Sequence, residues 1–153
     1  MHRQRGMTLI EVMIVLAIVL ILATLAYPSY AGYVTKSRRI EGQVALLETM
    51  QQQERYFMRN NTYAAFSAST VEAGEGGTPQ FRPWSSASAQ RSAYELEGRA
   101  CAGQAVADCI EVRATPGTAQ VDSRFRDPDC GTLTLDSVGR RGASGPSAAT
   151  CWP

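Results

Sequence analysis

The feature that most constrains this chain is an apolar run near its N-terminus. From Val12 to Tyr27 the run is broken only by Thr24, and it follows a short leader that carries Arg3 and Arg5. As an α-helix, residues 7–27 would be about 30 Å long, which matches the hydrocarbon core of one bilayer. The positive-inside rule keeps the basic leader in the cytoplasm. The sequence therefore predicts one membrane-spanning helix followed by a polar body on the other side.

One acidic residue, Glu11, lies near the start of this run. A carboxylate inside a membrane helix costs at least ~2.5 kcal/mol on insertion scales, and no basic residue lies one turn away. A cleaved signal peptide does not explain the segment, because the run is too long and no A-x-A-like cleavage site follows it. A plain signal anchor explains the length but leaves Glu11 without a partner. We therefore expect its partner to come from another molecule.

The stretch Gly6-Met7-Thr8-Leu9-Ile10-Glu11 resembles the prepilin cleavage motif of type IV pilins and their relatives. In that family a membrane peptidase cuts after the glycine and methylates the new N-terminus, and a glutamate five residues into the mature chain serves assembly. The resemblance implies cleavage after Gly6, N-methylation of Met7 and an assembly role for Glu11. Met7 stands where the family usually has phenylalanine. Pro28 matches a pilin proline at which the helix bends or melts on assembly.

Beyond the apolar run, the pattern predicts that the helix continues to about Arg59. Apolar residues recur there at helical spacing and form a stripe, which consists of Ile40, Val44, Leu47, Met50, Phe57 and Met58. Because a two-layer domain needs a cover for such a stripe, we expect it to be buried against a sheet. The next segment, residues 64–92, is rich in Ala, Ser, Gly and Pro. It predicts a long loop, flexible at 74–77 and pinned by Phe81 and Trp84.

Three later segments predict strands of a small antiparallel sheet. Residues 94–100, 110–114 and 132–136 alternate apolar and polar side chains with period two, and residues 120–125 are a weaker fourth candidate. The predicted fold class is therefore α+β. A long N-terminal helix, with a membrane half and an amphipathic half, packs on the sheet, and a disulfide-bounded loop follows at the C-terminal end.

The four cysteines all lie in the C-terminal third. An even number of cysteines in an exported chain favours disulfides, and the C-x-x-C spacing of zinc sites is absent. Three pairings are open, and the strand order favours Cys101 with Cys109 and Cys130 with Cys151. The stretch Cys130–Leu135 with Gly139, Gly142 and Cys151-Trp152 resembles the C-terminal region of minor pilins of the PilE type. In those pilins the region is a disulfide-bounded surface loop.

Motifs of enzymes and metal sites are absent from the sequence. The only histidine, His2, lies in the leader, and there is no Gly-x-Ser-x-Gly elbow, Gly-x-Gly-x-x-Gly loop or phosphate-loop lysine. Asp127 and Asp129 flank Pro128 but are too few ligands for calcium, so we expect a polar turn there. We predict no catalytic residues, no cofactor and no metal.

These observations predict three segments. Residues 1–6 are a cleaved leader, residues 7–28 a transmembrane and filament-core helix, and residues 29–153 the amphipathic helix with a globular head. The predicted function is a minor pilin: a structural subunit of a surface type IV pilus used in adhesion and twitching motility. The expected partners are other pilin subunits, the prepilin peptidase and the inner-membrane assembly platform. The subunit would wait in the inner membrane with its head in the periplasm, and would be extracellular after assembly.

Two alternatives share the N-terminal motif. A pseudopilin of a type II secretion system is one, although the two disulfides and the PilE-like tail favour the pilus. A DNA-binding pilin is the other, because Arg124, Arg126, Arg140 and Arg141 would form a basic patch if they gathered near the tail. A net charge of +1 gives no strong global attraction for nucleic acid. We therefore favour the interpretation of these arginines as solvated loop charges, with DNA or another surface as a possible ligand.

Overall fold

The computed structural model of the chain describes residues 7–72 and 81–153, without the side chains of residues 25–29 and 71–72. The chain divides into two compact units, with the boundary after Lys36. Helix α1 is assigned over Leu9–Asn60, so its residues fall in both units. The predicted long helix is therefore confirmed to within two residues at each end. The predicted leader, residues 1–6, lies outside the described residues.

The helix of the first unit presents apolar side chains on every side. Over residues 9–22, the exposed fraction of the large apolar residues ranges from 40% at Val12 to 80% at Leu9. A single helix that is apolar all round cannot cover its own surface, so these side chains need other molecules around them. Within the described residues, no helix has an apolar stretch long enough to cross a membrane.

The second unit contains a four-stranded antiparallel sheet in which each strand pairs with the next along the chain. The strands are β1 Tyr94–Ala100, β2 Ile110–Pro116, β3 Leu133–Asp136 and β4 Arg141–Ala143. Alternate side chains of β1, β2 and β3 are buried, as half-buried strands require: Tyr94, Leu96, Ile110, Val112, Ala114, Leu133 and Leu135. The α+β class and the three predicted strands are confirmed.

The weaker fourth strand was predicted in the wrong place. Residues 120–125 form turns, in which the Phe125 N–H donates to the Asp122 carbonyl at 3.0 Å. The Asp122 carboxylate accepts the Arg124 N–H at 3.1 Å, a local bond that competes with strand pairing. The actual fourth strand is β4, which has three residues and no β-branched side chain. Its pairing with β3 is fixed by the hairpin turn, so periodicity could not reveal it.

The buried face of α1 was also predicted incorrectly. Of the predicted stripe, Ile40, Val44 and Leu47 are 50%, 47% and 41% exposed. We call these three residues the outer seam. Met58, at the end of the stripe, is 77% exposed, whereas Met50 is buried as predicted.

A second stripe, turned around the helix from the outer seam, packs on the sheet. We call it the inner seam, and it consists of Arg39, Gln43, Leu46, Met50 and Gln53. Gln43, Leu46, Met50 and Gln53 are at most 9% exposed, and the Arg39 side chain is 15% exposed. Polar side chains can occupy a buried face when each of them has a hydrogen-bond partner. Hydropathy alone therefore identified the wrong stripe.

The segment after α1 is held to the second unit more closely than the predicted loop implies. It includes the short helix α2, Ala68–Glu72. The Gln53 amide, fully buried, donates to the Ala64 carbonyl at 2.7 Å and accepts the Ala64 N–H at 3.0 Å. Phe81 is 2% exposed and stacks on Phe66 with ring centroids 5.0 Å apart, so it anchors the loop as predicted. The predicted flexible element at 74–77 lies outside the described residues.

Candidate functional site

The sequence predicts processing at Gly6 and Met7 and an assembly role for Glu11, which lies in the first turn of α1. Gly6 falls outside the described residues, and Met7 is 70% exposed. The Thr8 N–H donates to the Glu11 carboxylate, and the Glu11 N–H donates to the Thr8 hydroxyl, each at 3.4 Å. This reciprocal pair is a capping box, which satisfies two backbone donors that a helix start leaves free. Glu11 therefore has a local partner as well as the intermolecular one expected from the sequence.

Pro28 lies within the residues assigned to α1, and its side chain is outside the described part. The expected bend at this proline stays a prediction. Tyr30 and Tyr33 follow it and are 68% and 73% exposed. Exposed rings at this place suit either a membrane interface or a contact with another subunit.

A buried ion pair joins the inner seam to the loop before β3. The Asp127 carboxylate accepts hydrogen bonds from Arg39 Nε at 2.8 Å and Arg39 Nη2 at 2.7 Å. It also accepts the Tyr94 hydroxyl at 2.7 Å and the Cys130 N–H at 3.2 Å. Gly42 allows this approach, because a Cβ at that position would lie 2.9 Å from the Tyr94 ring. Asp127 thus accepts four hydrogen bonds. The sequence predicted only a polar turn at this position.

The ionisation of this cluster follows from its contacts. Burial alone would raise the pKa of Asp127, but the hydrogen bonds from Arg39, Tyr94 and Cys130 outweigh it and hold that pKa below its ordinary value. The hydrogen bond to Asp127 raises the pKa of Arg39. Burial, and then the hydrogen bond to Asp127, raise the pKa of Tyr94. At neutral pH the cluster is therefore a charged Arg–Asp pair with a neutral tyrosine.

The disulfides define two loops at the edges of the sheet. Cys101 is bonded to Cys109 across the β1–β2 connection, and Cys130 is bonded to Cys151 around β3 and β4. These are the pairs that the sequence favours. The Gln43 amide donates to the Cys151 carbonyl, which ties the second loop to the inner seam. Trp152 donates its ring N–H to the Gly142 carbonyl at 2.8 Å, so the tail lies against β4.

The four arginines of the proposed basic patch do not gather. Arg126 donates to the Gly117 carbonyl at 3.5 Å, just past the end of β2. Arg140 pairs with Asp136 at 2.6 Å, and Asp136 lies opposite Glu111 near the start of β2. Positions 111 and 117 are about 20 Å apart along a strand. The four arginines therefore split into two separate pairs, Arg124 with Arg126 in the turn after β2 and Arg140 with Arg141 beside β4.

Arg140 and Arg141 line a polar cleft of about 360 Å³ on the β3–β4 side of the sheet. Its other charged residues are Glu111 and Asp136. The Arg141 guanidinium lies 5.4 Å from the centre of the Trp152 ring, a cation–π contact that orients it. The cleft therefore combines two guanidinium groups with two carboxylates, of which Asp136 is paired with Arg140 and Glu111 with Arg99. Among the described residues, no group of three or more His, Cys, Asp or Glu is placed to hold a metal ion.

Comparison with known proteins identifies the family. A family model described as "Type IV minor pilin ComP, DNA uptake sequence receptor" matches residues 28–134. A second, "Prokaryotic N-terminal methylation motif", matches residues 1–27. The chain belongs to the type IV pilins. Pilins of this family are structural subunits rather than enzymes, and they are assembled into an extracellular pilus.

Curated relatives agree with this assignment. The chain is 31% identical over 94 residues to the "Type IV wide pilus major component PilA4" of Thermus thermophilus, covering 61% of this chain and 72% of that protein. It is 49% identical over 51 residues to the "Type IV major alpha-pilin" of Moraxella bovis, covering 32% of each. The chain thus spans about a third of the first curated relatives it matches. A type IV pilin structure from Shewanella oneidensis aligns with a TM-score of 0.44 and 25% identity, over 78% of this chain and 98% of that one.

Proposed function

We propose that this pilin is a minor subunit of a type IV pilus, cut after Gly6, methylated at Met7 and assembled through α1. The observation that carries the proposal is the N-terminal methylation motif over residues 1–27, followed by a family match described as a minor pilin. Before assembly, residues 7–28 would hold the subunit in the inner membrane with its head in the periplasm. Two disulfides fit such an oxidising compartment. The prepilin peptidase and the assembly platform are its expected partners there.

The assembly step depends in this proposal on the charge of Glu11. Cleavage after Gly6 would create a positive amine on Met7, close to Glu11, the one acidic residue among residues 7–27. Each charge alone is costly in a low-dielectric helix bundle, and a pair between subunits would favour one axial register. The capping box gives Glu11 a second role inside its own helix. An experiment must therefore separate the two roles.

Glu11→Gln separates them, because glutamine keeps the capping box but has no charge. We expect normal leader removal and a sharp fall in incorporation into sheared filaments, scored by immunoblot. Glu48→Gln, the same change on the exposed surface of the second unit, serves as the matched control. If Glu11→Gln assembles like the parent while Glu11→Ala does not, the residue acts only as a helix cap. Assembly of both variants at the parental level would remove Glu11 from the mechanism.

The proposal that this pilin is a minor subunit is tested by measuring its abundance in the filament. Quantitative mass spectrometry of sheared filaments reports leader removal, methylation, disulfides and copy number together. A minor subunit should form a small fraction of the pilin in the filament. If the chain is the predominant pilin, the minor assignment is wrong. Recovery only with the components of a type II secretion system would favour the pseudopilin alternative.

A second candidate function is that of a DNA receptor. The family model that matches residues 28–134 is described as a DNA uptake sequence receptor, and Arg140 and Arg141 share one exposed cleft. Arginine contacts to phosphates make affinity fall steeply with salt. Arg140→Gln and Arg141→Gln should therefore weaken DNA binding by the full chain and flatten its salt dependence. Arg124→Gln, at the opposite end of β2, is the control. Equal effects of all three variants would show only a diffuse charge effect.

A further inference from the structure

The two disulfides occupy different places in the second unit. Cys130 and Cys151 are 0% and 2% exposed and belong to the hydrophobic core cluster that also contains Leu46 of α1. Within the described residues, that cluster does not include Cys101 or Cys109, which lie just after β1 and just before β2. Of the two disulfides, Cys130–Cys151 is therefore the one that shares its core with α1.

The same two cysteines supply backbone groups to polar side chains of the inner seam. The Cys130 N–H donates to the Asp127 carboxylate at 3.2 Å, and that carboxylate accepts two hydrogen bonds from the Arg39 guanidinium. The Cys151 carbonyl accepts a hydrogen bond from the Gln43 amide. Arg39 and Gln43 are about one helical turn apart. Two neighbouring polar residues of α1 are thus held from the two ends of one disulfide loop.

The rest of this loop packs closely on the acceptors. The Gly145 N–H donates to the Cys130 carbonyl at 2.8 Å, and the Ser147 N–H donates to the Asp129 carbonyl at 3.0 Å. Gly145 allows this approach, because a Cβ at that position would collide with the Asp129 carbonyl oxygen. Without the Cys130–Cys151 bond, hydrogen bonds alone would have to keep the two segments together.

The remaining polar residue of the inner seam is held in a different way. The Gln53 amide donates to the Ala64 carbonyl at 2.7 Å and accepts the Ala64 N–H at 3.0 Å. Ala64 follows α1 directly and lies outside the loop that the disulfide closes. The inner seam therefore has an early part, with Arg39 and Gln43, that contacts the disulfide loop, and a later part that has its own partner.

We infer that the Cys130–Cys151 disulfide is a latch that packs the first turns of α1 in the second unit onto the sheet. With the bond closed, Arg39 and Gln43 each have a fixed acceptor. With the bond open, both would have to be buried without one, which is unfavourable for a guanidinium and for an amide. The turns of α1 that carry them therefore leave the sheet when the bond is open, and the later turns stay.

Closing the latch is an oxidation. The two thiols lose two electrons and two protons as the S–S bond forms, and a thiol–disulfide oxidoreductase takes them up as its own disulfide becomes two thiols. The consequence for assembly rests on the proposed function, which places the head in an oxidising compartment before the filament forms. We expect incorporation into filaments to require the docked state of these helix turns.

The test is arginine labelling of the full chain in detergent micelles with phenylglyoxal, read by peptide mass spectrometry. In the double variant Cys130→Ser, Cys151→Ser, labelling of Arg39 should rise about tenfold, because local undocking frees a side chain that is 15% exposed in the docked state. Labelling of Arg113, which lies on β2 and is 27% exposed, should stay unchanged. Arg55, exposed on α1, serves as the internal reference.

The matched control is the double variant Cys101→Ser, Cys109→Ser, which removes the other disulfide and should leave Arg39 protected. An equal rise at Arg39 in both double variants would overturn the inference. Equal rises at Arg39 and Arg113 would do the same, because they would show a general loss of stability. Unchanged labelling of Arg39 without the Cys130–Cys151 bond would show that the bond latches nothing.

Gln43→Met tests the latch with both disulfides in place, because it removes the donor to the Cys151 carbonyl and keeps the length of the side chain. Labelling of Arg39 should rise about fivefold, as expected for the loss of one buried hydrogen bond. The same substitution in the chain that lacks the Cys130–Cys151 bond should cause no further rise, because Gln43 acts through that loop. Additive effects would contradict the latch.

The assembly consequence is measured in cells that form pili. Gln43→Met should lose its leader normally and be recovered in sheared filaments at a level about fivefold below the parent. Gln51→Met, the same change at an exposed position of α1, is the control and should be recovered like the parent. Parental recovery of Gln43→Met would contradict the need for docking. Failure of the parent itself to lose its leader or to enter filaments would instead contradict the proposed function.

Discussion

The buried pair Arg39–Asp127 gives the sharpest quantitative prediction about the second unit. Asp127→Asn keeps the size of the side chain but removes its charge. The Asp127 side chain has no exposed surface, the Arg39 side chain is 15% exposed, and the carboxylate accepts four hydrogen bonds. An asparagine would turn one acceptor oxygen into a donor, so at least one of these donors would face another donor. Removing one partner of a buried pair costs about 3–5 kcal/mol.

For a unit of this size, such a loss should lower the midpoint of thermal unfolding by roughly 10–20 °C. Near-ultraviolet circular dichroism of the full chain in detergent micelles reports the tertiary packing of the aromatic residues, including Tyr94. Asp129→Asn is the matched control. Its side chain is 64% exposed and lies 3.5 Å from Arg39, so the loss should stay below about 1 kcal/mol. Equal destabilisation by the two variants would refute the argument from burial.

The same cluster predicts a pH dependence. Because the folded-state pKa of Asp127 lies below its ordinary value, ionised Asp127 stabilises the folded state above the unfolded pKa of about 3.9. This stability is lost as the pH falls through the folded pKa. The difference in unfolding free energy between the parent and Asp127→Asn should therefore be constant near neutral pH and shrink below about pH 4. A difference that stays constant into acid would show that another property of the variant causes it.

Three further predictions concern processing and packing. Gly6→Val should leave the leader attached, because a bulky residue blocks the peptidase, and intact-mass spectrometry reads this directly. The double variant Cys130→Ser, Cys151→Ser should lose about 3 kcal/mol, the value for a loop of this length in the chain-entropy model; urea unfolding measures it. Gln53→Leu should lose about 2–4 kcal/mol in the same assay, because it leaves the buried N–H and carbonyl of Ala64 without partners.

Each of these has a control in the same chain. Gly6→Ala adds only a methyl group, so partial cleavage is expected there. For the disulfide, the reduced parent should unfold at the same urea concentration as the double variant or a lower one, since reduction also opens Cys101–Cys109. Gln51→Leu makes the same substitution on an exposed position of α1 and should change stability by less than about 0.5 kcal/mol. A loss for Gln51→Leu equal to that of Gln53→Leu would show that the Ala64 contacts contribute nothing.

Local signals in the sequence were sufficient for the long helix, for three of the four strands and for the processing motif. The long helix follows from the apolar run and from the apolar residues at helical spacing after it, and β1, β2 and β3 follow from period-two alternation. The motif around Gly6 and Glu11 is contiguous, so it can be recognised without a fold. The capping box at Thr8 and Glu11 is equally local, and the T-x-x-E spacing would have revealed it.

The incorrect predictions share one physical cause: the residues that contact each other in the folded structure are distant in the sequence. Hydropathy placed Ile40, Val44 and Leu47 inside, yet Gln43 is buried because its amide reaches the Cys151 carbonyl. Strand β4 exists because β3 offers it a free edge, and three residues carry no periodic signal. Position along β2 also separates Arg126 from Arg140, which are only 14 residues apart in the sequence. Rules based on local sequence patterns do not detect these long-range contacts and distances.

The sequence by itself thus determined what is local in this pilin: a helix that is apolar all round at its start, a processing motif, and alternating strands that close a small sheet. The tertiary structure decided which face of α1 packs on the sheet. A buried arginine or glutamine is tolerated only where a carboxylate or carbonyl is placed to accept its hydrogen bonds. Asp127 supplies that partner for Arg39 across 88 positions of sequence, and Ala64 supplies it for Gln53. With its polar face satisfied internally, α1 leaves the apolar residues of the outer seam 41–50% exposed.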